Sequence, residues 1–285
     1  MKGASIRAAL AVAAAVGIFA ATPASAQLQA VDIFKNTTYD QTSAAAPTTA
    51  AGYFFDVGAT MTNPGDFTSA SLTYPGPASP LSLGLTSPTQ FGYGSPFVDQ
   101  ATFNASYPLG FYTVTVSNGG SNVSETMNDA SDAYTVDVPA LTAATFTALQ
   151  GLNAGHGLTI QFNSFTPDGA TTPGASAAFF SIFDSAFNTV FTSGGLDPST
   201  TSIYLPAGTL KADTTYSWEL DFSDRIVGAD PNGLPIFTTQ GFDMRTDGSF
   251  STAVPEPATW AMLMLGLFGS GAALRRRRVA LATAT

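Results

Sequence analysis

Two stretches of the chain decide its fold: PLGFYTVTV at residues 108–116 and ADTTYSWEL at residues 212–220. Each begins as a turn and continues with an apolar or aromatic residue at every second position, the period of two that indicates a half-buried β-strand. The residues predicted to face the core are Tyr112, Val114, Val116, Tyr216, Trp218, Leu220 and Phe222. The two tyrosines lie 104 residues apart, which is close to the length of one β-sandwich domain.

The rest of the body also has the pattern of short strands. Apolar or alternating runs are separated by Gly, Pro, Asn and Asp, and no long stretch shows the 3.6-residue period of a helix. Strands are predicted at 53–57, 69–74, 81–85, 102–105, 111–116, 144–149, 158–162, 177–183, 189–192, 202–205, 215–222 and 242–245, after a short first strand around Val31, Ile33 and Phe34. A polar connection is predicted over residues 117–132. The chain is therefore predicted to be all-β, with two consecutive β-sandwiches in residues 27–125 and 126–250.

One of the two deciding stretches carries a family resemblance. The segment from Leu210 to Trp218 resembles the Leu-x-Pro-x-Thr-x-Tyr-x-Val strand of fibronectin type III domains, with Ala212 where proline is usual. The resemblance implies Ig-like or fibronectin-III-like sandwiches. It also implies a tyrosine corner, in which a tyrosine hydroxyl bonds back across the turn before its strand.

The C-terminal residues combine three features in a fixed order. The motif Val254-Pro255-Glu256-Pro257 precedes an uncharged apolar run at residues 258–274, and an arginine cluster follows at residues 275–278. A helix of that length reaches about 25 Å, near the hydrocarbon thickness of about 30 Å. Arginines favour the cytoplasmic side of a membrane. We expect a transmembrane helix over 258–274 behind an extended, accessible segment, and a plain membrane anchor is the alternative to a processed tail.

The same tail resembles a known sorting signal. The residues that carry the resemblance are Val254, Pro255, Glu256, Pro257, Trp260, Ala261, Arg275, Arg276, Arg277 and Arg278, and they match the PEP-CTERM signal in its PEPxxWA form. The resemblance implies that residues 251–285 direct sorting. It also implies cleavage near Pro255–Pro257 by an exosortase, in a Gram-negative bacterium that makes exopolysaccharide.

The N-terminus has the pattern of a signal peptide, residues 1–26. Lys2 and Arg7 precede an apolar run, and Ala24 and Ala26 supply the small residues of a cleavage site before Gln27. We therefore predict cleavage by signal peptidase and export of a mature chain that starts at Gln27. A retained N-terminal anchor is the alternative.

Charge and cysteine content narrow the classes of partner. The precursor has a formal net charge of −10, and without the basic residues of its two terminal signals it keeps four basic against 20 acidic residues, a net charge of −16. Such a body is a poor partner for nucleic acid, whose binding depends on phosphate neutralisation, and for anionic lipid headgroups. The chain contains no cysteine, so its stability must come from hydrophobic burial rather than disulfides.

The usual constellations for catalysis are missing from the sequence. His156 is the only histidine and lies in a glycine-flanked turn, so the common transition-metal sites are not expected. No Gly-x-Ser-x-Gly elbow and no glycine-rich phosphate loop is present. We predict no catalytic residue, no metal ligand and no cofactor.

The carboxylates on the second deciding strand allow three interpretations. Glu219 and Asp221 alternate on its predicted outward face, and Asp224 and Asp230 are placed in the loop that follows. A solvated strand face is the first interpretation. Binding of Ca²⁺ by carboxylate oxygens and glycoside hydrolysis by a carboxylate pair are the alternatives. The same interpretations apply to three acidic residues near the domain boundary, Asp129, Asp132 and Asp137.

These features together predict a non-enzymatic, exported surface or extracellular-matrix protein with a structural or adhesive role. It would be held transiently in the inner membrane, processed by exosortase, and associated with biofilm or exopolysaccharide. The alternative is a carbohydrate-binding module, for which Phe91, Tyr93 and Phe97 of a glycine-rich loop are the candidate contacts if they do not pack in the core. A polysaccharide-acting enzyme and an ice-binding protein rank below these, because the Thr-x-Thr pairs of the chain do not repeat at a constant period.

Overall fold

The structure is a computed structural model, and it describes residues 27–228 and 237–254. Its elements in chain order are β1 Leu28–Asp40, β2 Ala50–Met61, β3 Ser69–Thr73, β4 Leu81–Ser87, β5 Gln90–Phe97, α1 Gln100–Ser106, β6 Gly110–Ser117, β7 Asn122–Asp129, α2 Ala143–Leu149, β8 Leu158–Gln161, β9 Ala177–Phe183, β10 Thr189–Thr192, β11 Ser202–Leu205, β12 Thr215–Gly228 and β13 Phe237–Ser251. Neither of the two described helices is long and apolar enough to cross a membrane. The predicted signal peptide and the predicted helix over 258–274 lie outside the described residues.

Eleven strands form one sheet, in the order β10-β9-β12-β13-β1-β2-β5-β4-β3-β6-β7, and β8 and β11 form a separate pair. The prediction of an all-β chain is confirmed. The first strand and the last strand of the described chain, β1 and β13, lie side by side at the centre of the large sheet and pair in parallel. The other strand pairs of the described residues are antiparallel. The two halves of the body are therefore joined through the middle of one sheet.

Two hydrophobic clusters lie against this sheet. The first draws on residues between Leu28 and Met127, and at its centre the ring of Phe55 stacks on Tyr107 with 3.7 Å between centroids. The second draws on residues between Leu141 and Phe250 and surrounds the fully buried Trp218. Each half thus has its own core, and the domain boundaries at 27–125 and 126–250 stay a prediction.

Both deciding strands bury the side chains predicted to face the core. Tyr112, Val114 and Val116 of β6 are buried, and so are Tyr216, Trp218, Leu220 and Phe222 of β12. The Tyr112 hydroxyl donates to the Pro108 carbonyl oxygen at 2.7 Å. The Tyr216 hydroxyl accepts from the Lys211 amide at 2.9 Å. Each tyrosine thus bonds back across the turn that leads into its strand.

Two predicted strands are wrong, because residues 102–105 and 144–149 lie in the helices α1 and α2. Both helices begin at a capping side chain: Asp99 accepts from the Thr102 amide at 2.8 Å, and Thr142 accepts from the Thr145 amide at 3.3 Å. Such caps stabilise the first turn of a helix. With seven residues each, the helices are too short to show a period in the sequence.

Other strands differ from prediction in extent. The polar connection at 117–132 contains β7, whose Thr126 and Ser124 bond across to Thr113 and Thr115 at 2.8 Å. A strand with polar side chains on its outer face has little apolar signal. The first strand has 13 residues rather than a few, and β13 has 15 residues rather than the four predicted. Pairing on both edges of each strand stabilises this length.

A buried charge cluster lies on the inner face of the sheet, where the connection between the two halves begins. Lys35 of β1 is 3% exposed and forms an ion pair with Asp129 at the end of β7, which is 1% exposed. The same ammonium group contacts Asp132 at 2.9 Å. Beyond this cluster, the Gln41 side chain bonds both the amide and the carbonyl of Leu141. The connection between the halves is therefore packed against β1 and not a free linker.

Candidate functional site

A polar groove of about 590 Å³ crosses the outer face of the central strands. Side chains from β12, β13, β1, β2 and β5 line it, so both halves of the body contribute. The polar and aromatic lining residues are Asn36, Thr38, Tyr53, Phe54, Asp56, Phe97, Glu219, Asp221, Asp243 and Arg245. Its volume lies within the range of about 300–1,000 Å³ that is common for small-molecule sites.

Strand alternation places Glu219 and Asp221 on this face, as the sequence predicts, opposite the buried Trp218 and Leu220. The face is more enclosed than a solvated strand. One carboxylate oxygen of Asp221 is shielded from solvent and has no hydrogen-bond partner among the described residues. Burial and the neighbouring Asp243 raise the pKa of Asp221 well above its usual value.

Asp243 of β13 lies beside Asp221 and is held by a short chain of hydrogen bonds. Its carboxylate accepts from the Ser223 hydroxyl at 2.6 Å, and the Arg225 Nε atom donates to the same hydroxyl oxygen at 2.8 Å. Burial raises the pKa of Asp243 to about 6, although the Ser223 hydrogen bond and Arg225 act to lower it. Two carboxyl groups with raised pKa values therefore lie next to each other at the β12 side of the groove.

Two arginines flank the pair on either side along β12 and β13. Arg245 contacts Asp247 at 3.0 Å and Glu219 at 3.7 Å. The Arg225 guanidinium lies over the rings of Phe34 and Phe179, 5.7 Å and 5.3 Å from their centroids. Such cation–π contacts fix the orientation of the guanidinium. The floor of the site is therefore held in place by its own side chains.

Glycines make room for the aromatic rings of this face. A Cβ atom on Gly94 of β5 would lie 2.5 Å from the Phe54 ring, and one on Gly241 of β13 would lie 2.1 Å from the Phe34 ring. Both rings therefore lie close against the backbone of a neighbouring strand. Phe54 is 36% exposed and lines the groove from β2 together with Asp56, whereas Glu219, Asp221 and Asp243 line it from β12 and β13.

The other predicted acidic residues lie elsewhere. Asp224 is not in a loop: it belongs to β12, is fully buried on the core side, and accepts from the Asp168 amide at 3.3 Å. The prediction placed it wrongly because β12 continues to Gly228. Asp230 lies outside the described residues. Asp129 and Asp132 bind Lys35, and Asp137 accepts from the Thr166 amide at 2.8 Å.

The remaining sequence candidates are also separated. The loop proposed around Phe91, Tyr93 and Phe97 is the strand β5. Phe91 is buried in the first core, Tyr93 and Phe97 pack against that core, and only Phe97 borders the groove. His156 is exposed and lies in the turn that the sequence predicts.

Most of the predicted processing residues lie outside the described chain. These are Ala24, Ala26, Pro255, Glu256, Pro257, Trp260, Ala261, Arg275, Arg276, Arg277 and Arg278. Gln27 and Val254 are described, and both are exposed.

Several residues of the groove gave no sequence signal. Asn36 and Phe54 are direct partners on the consecutive strands β1 and β2, whereas Asp243 and Arg245 lie about 200 residues later and reach them through the β1–β13 pairing. Alternation on β13 is the signal that could have placed Asp243, Arg245 and Asp247 on one face. The sequence prediction of β13 stopped at residues 242–245 and therefore missed that pattern.

The arrangement suits hydrogen bonding better than metal binding. Among the described residues, no group of three or more His, Asp or Glu side chains is arranged to hold a metal ion. The carboxylates of the groove instead act as hydrogen-bond acceptors, and Arg245 and Asn36 supply donors beside them.

The last residues of the body approach the C-terminal motif without a linker. The Ala253 amide donates to the Leu152 carbonyl oxygen at 2.9 Å, and the Asp213 amide donates to the Ala253 carbonyl oxygen at 3.1 Å. The buried Thr252 hydroxyl donates to the Lys211 carbonyl oxygen at 2.7 Å. Hydrogen bonds therefore fix the chain in the folded body as far as Ala253, the residue before Val254.

Solved structures that resemble the body do so weakly. The "Biofilm associated protein - BSP domain" is 11% identical with a TM-score of 0.22, and the match covers 81% of this chain and 30% of that chain. The chicken CNTN1 FN1–FN3 domains are 11% identical with a TM-score of 0.26, over 76% of this chain and 68% of that one. The ice-binding, Ca²⁺-stabilised adhesin of an Antarctic bacterium is 14% identical with a TM-score of 0.24, over 80% and 50%. TM-scores this low carry no argument about function.

Sequence comparisons concern the tail alone. The whole chain has no significant match among curated proteins. Residues 253–278 match the PEP-CTERM protein-sorting motif. This range includes Val254 through Arg278 and therefore every residue on which the resemblance in the tail was based. The chain carries a PEP-CTERM sorting motif directly after its folded body.

Proposed function

We propose that this chain is an exported, exosortase-processed protein of the cell surface or extracellular matrix with a structural or adhesive role and no enzymatic activity. The PEP-CTERM motif at residues 253–278 carries the proposal, because that motif implies sorting by an exosortase. In this proposal signal peptidase cuts before Gln27, the helix over 258–274 holds the chain transiently in the inner membrane of a Gram-negative bacterium, and exosortase cuts near Pro255–Pro257.

The position of the motif relative to the fold bears on this processing. The hydrogen bonds of Thr252 and Ala253 end the folded body directly before the motif. The four residues 254–257 span at most about 14 Å when extended. The cleavage site therefore lies close to both the body and the membrane, and exosortase must work in that narrow space or after residues 252–253 have come free.

We infer that the structural or adhesive body consists of two Ig-like or fibronectin-III-like units. Each half has its own hydrophobic cluster and its own tyrosine hydroxyl bond across a turn, as expected for domains at 27–125 and 126–250. Such domains commonly present binding surfaces rather than reaction centres. A polysaccharide-acting enzyme would need the carboxylates of the groove, so Glu219→Gln and Asp221→Asn would abolish turnover of secreted polysaccharide if that activity existed.

Deletion of residues 255–285 tests the sorting proposal. The truncated chain should leave the membrane fraction without processing and lose the surface or matrix location of the intact chain. A matched control lacks only residues 279–285, which follow the arginine cluster, and it should be sorted normally. If the truncated chain has the same mature mass and location as the intact chain, the sorting proposal is wrong.

A further inference from the structure

The groove on the outer face is long enough for a chain-like ligand. It crosses five neighbouring strands, from Pro96 and Phe97 on β5 to Glu219 and Asp221 on β12. Four spacings of about 4.8 Å between strands give a length of about 19 Å. A groove of this length can hold several units of a linear polymer.

The acidic side of the groove presents acceptors that need donors. One Asp221 oxygen has no hydrogen-bond partner among the described residues, and Asp243 receives one hydrogen bond from the Ser223 hydroxyl. A shielded acceptor without a donor is unfavourable. A ligand rich in hydroxyl groups supplies donors in pairs, whereas the groove lacks the three-carboxylate arrangement that a metal ion would need.

The opposite side of the groove presents an aromatic ring. Phe54 is 36% exposed, and its ring lies so close to Gly94 that a Cβ atom there would come within 2.5 Å of it. The C–H faces of sugar rings pack on aromatic rings of this kind, while their hydroxyls extend sideways. A sugar ring over Phe54 would place its hydroxyls toward Asn36 and the carboxylates of β13 and β12.

The charge of the lining excludes one class of sugar polymer. Asp56, Glu219, Asp221 and Asp243 line the groove together with a single arginine, Arg245. A polymer with carboxylate or sulfate groups would place like charges next to these side chains, which is unfavourable at close range.

We propose that this groove binds a linear polysaccharide without negative charge, with Phe54 under a sugar ring and Asp221 and Asp243 accepting from its hydroxyls. The inference rests on the proposed function only in that a surface location would expose the groove to extracellular polysaccharide. It names a ligand that sorting does not imply, and it replaces the Phe91, Tyr93 and Phe97 contacts expected from the sequence. The site exists only where β1 and β13 pair.

Calorimetric titration of the purified full-length chain in detergent tests the proposal. The probes are neutral hexasaccharides (β-1,4-glucan, β-1,4-mannan, β-1,4-galactan and α-1,6-glucan), an alginate hexamer as the acidic polymer, and a lysine hexapeptide. We expect one or more neutral hexamers to bind. Phe54→Ala and Asp221→Asn should each weaken that binding by about tenfold, because the first removes the ring under the sugar and the second replaces one acceptor oxygen of the buried carboxyl group with a donor.

Phe111→Ala is the matched control, since Phe111 of β6 is 66% exposed and outside the groove. It should leave the affinity unchanged. Failure of all neutral hexamers to bind, tighter binding of alginate, binding of the lysine peptide alone, or affinities that neither groove variant changes would each overturn the proposal. Secretion plays no part in this measurement. A failure of the chain to bind sugars therefore leaves the sorting proposal unaffected, and a failure of sorting leaves the binding proposal unaffected.

Discussion

Replacing Lys35 with methionine should destabilise the fold strongly, because Lys35 is the cation of the buried charge cluster on the inner face of the sheet. Its ammonium group pairs with Asp129, and the two side chains are 3% and 1% exposed. Removing one partner of a buried ion pair typically costs about 3–5 kcal/mol, since the other charge stays buried without compensation. For a body of this size that corresponds to a fall of roughly 6–20 °C in the midpoint of thermal unfolding.

The loss should depend on pH in a defined direction. Burial already raises the pKa of Asp129, and Lys35 acts to lower it. Without Lys35 the folded-state pKa of Asp129 rises further above its unfolded value, so the folded variant takes up a proton more readily than the unfolded chain. The variant should therefore recover stability relative to the wild type as the pH falls from 7.5 to 4.5.

Urea denaturation followed by circular dichroism at these two pH values measures both effects. Lys211→Met is the matched control, because Lys211 is exposed, and its effect should stay within about 0.5 kcal/mol. The double variant Lys35→Met/Asp129→Leu should regain much of the lost stability, since an apolar pair often replaces a buried ion pair without loss. A loss below about 1 kcal/mol for Lys35→Met, or an equal loss at both pH values, would refute the reasoning.

Three further predictions concern the outer face and the tyrosines. Burial raises the pKa values of Asp32, Asp243 and Asp247 to about 6, so the folded state binds protons at a higher pH than the unfolded chain and its stability should rise as the pH falls from 7.5 to about 5. In thermal melts, Asp243→Asn should make the dependence of the melting temperature on pH less steep. A wild-type melting temperature that falls over this pH range would contradict the raised pKa values. Tyr216→Phe should lower the free energy of unfolding in urea by about 1–2 kcal/mol, because the Lys211 amide loses its acceptor. Tyr204→Phe, at an exposed position, should have little effect. Equal effects of the two variants would show that the tyrosine corner does not stabilise the fold. Gly241→Ala should lower the free energy of unfolding by about 1–3 kcal/mol, because its Cβ would meet the Phe34 ring at 2.1 Å. The control Gly169→Ala should have little effect, since no atom lies within 4 Å of its Cβ. An unchanged melting curve for Gly241→Ala would show that Phe34 moves freely.

The features of the fold that follow from local pattern were predictable. The period of two in β6 and β12 placed seven side chains in the core, and both tyrosines bond across their turns. The same alternation placed Glu219 and Asp221 on the outer face. Each of these inferences needs only neighbouring residues.

The features that depend on distant residues were not predictable. No local signal in β1 indicates that it pairs with β13, about 200 residues later in the chain, and the groove depends on that pairing. Asp221 looks like a solvated residue in the sequence because Asp243, which lies beside it, comes from another strand. The helices α1 and α2 were missed because their capping side chains, rather than any period, determine where they start.

We propose above all that the folded body is an exported product cut from its own C-terminal signal. Intact-mass measurement of the protein recovered from the producing cells, with its terminal peptides sequenced, tests this most directly. We expect a chain that begins at Gln27 and ends near Pro255–Pro257, without the segment 258–285. A recovered chain that still ends at Thr285 would contradict it.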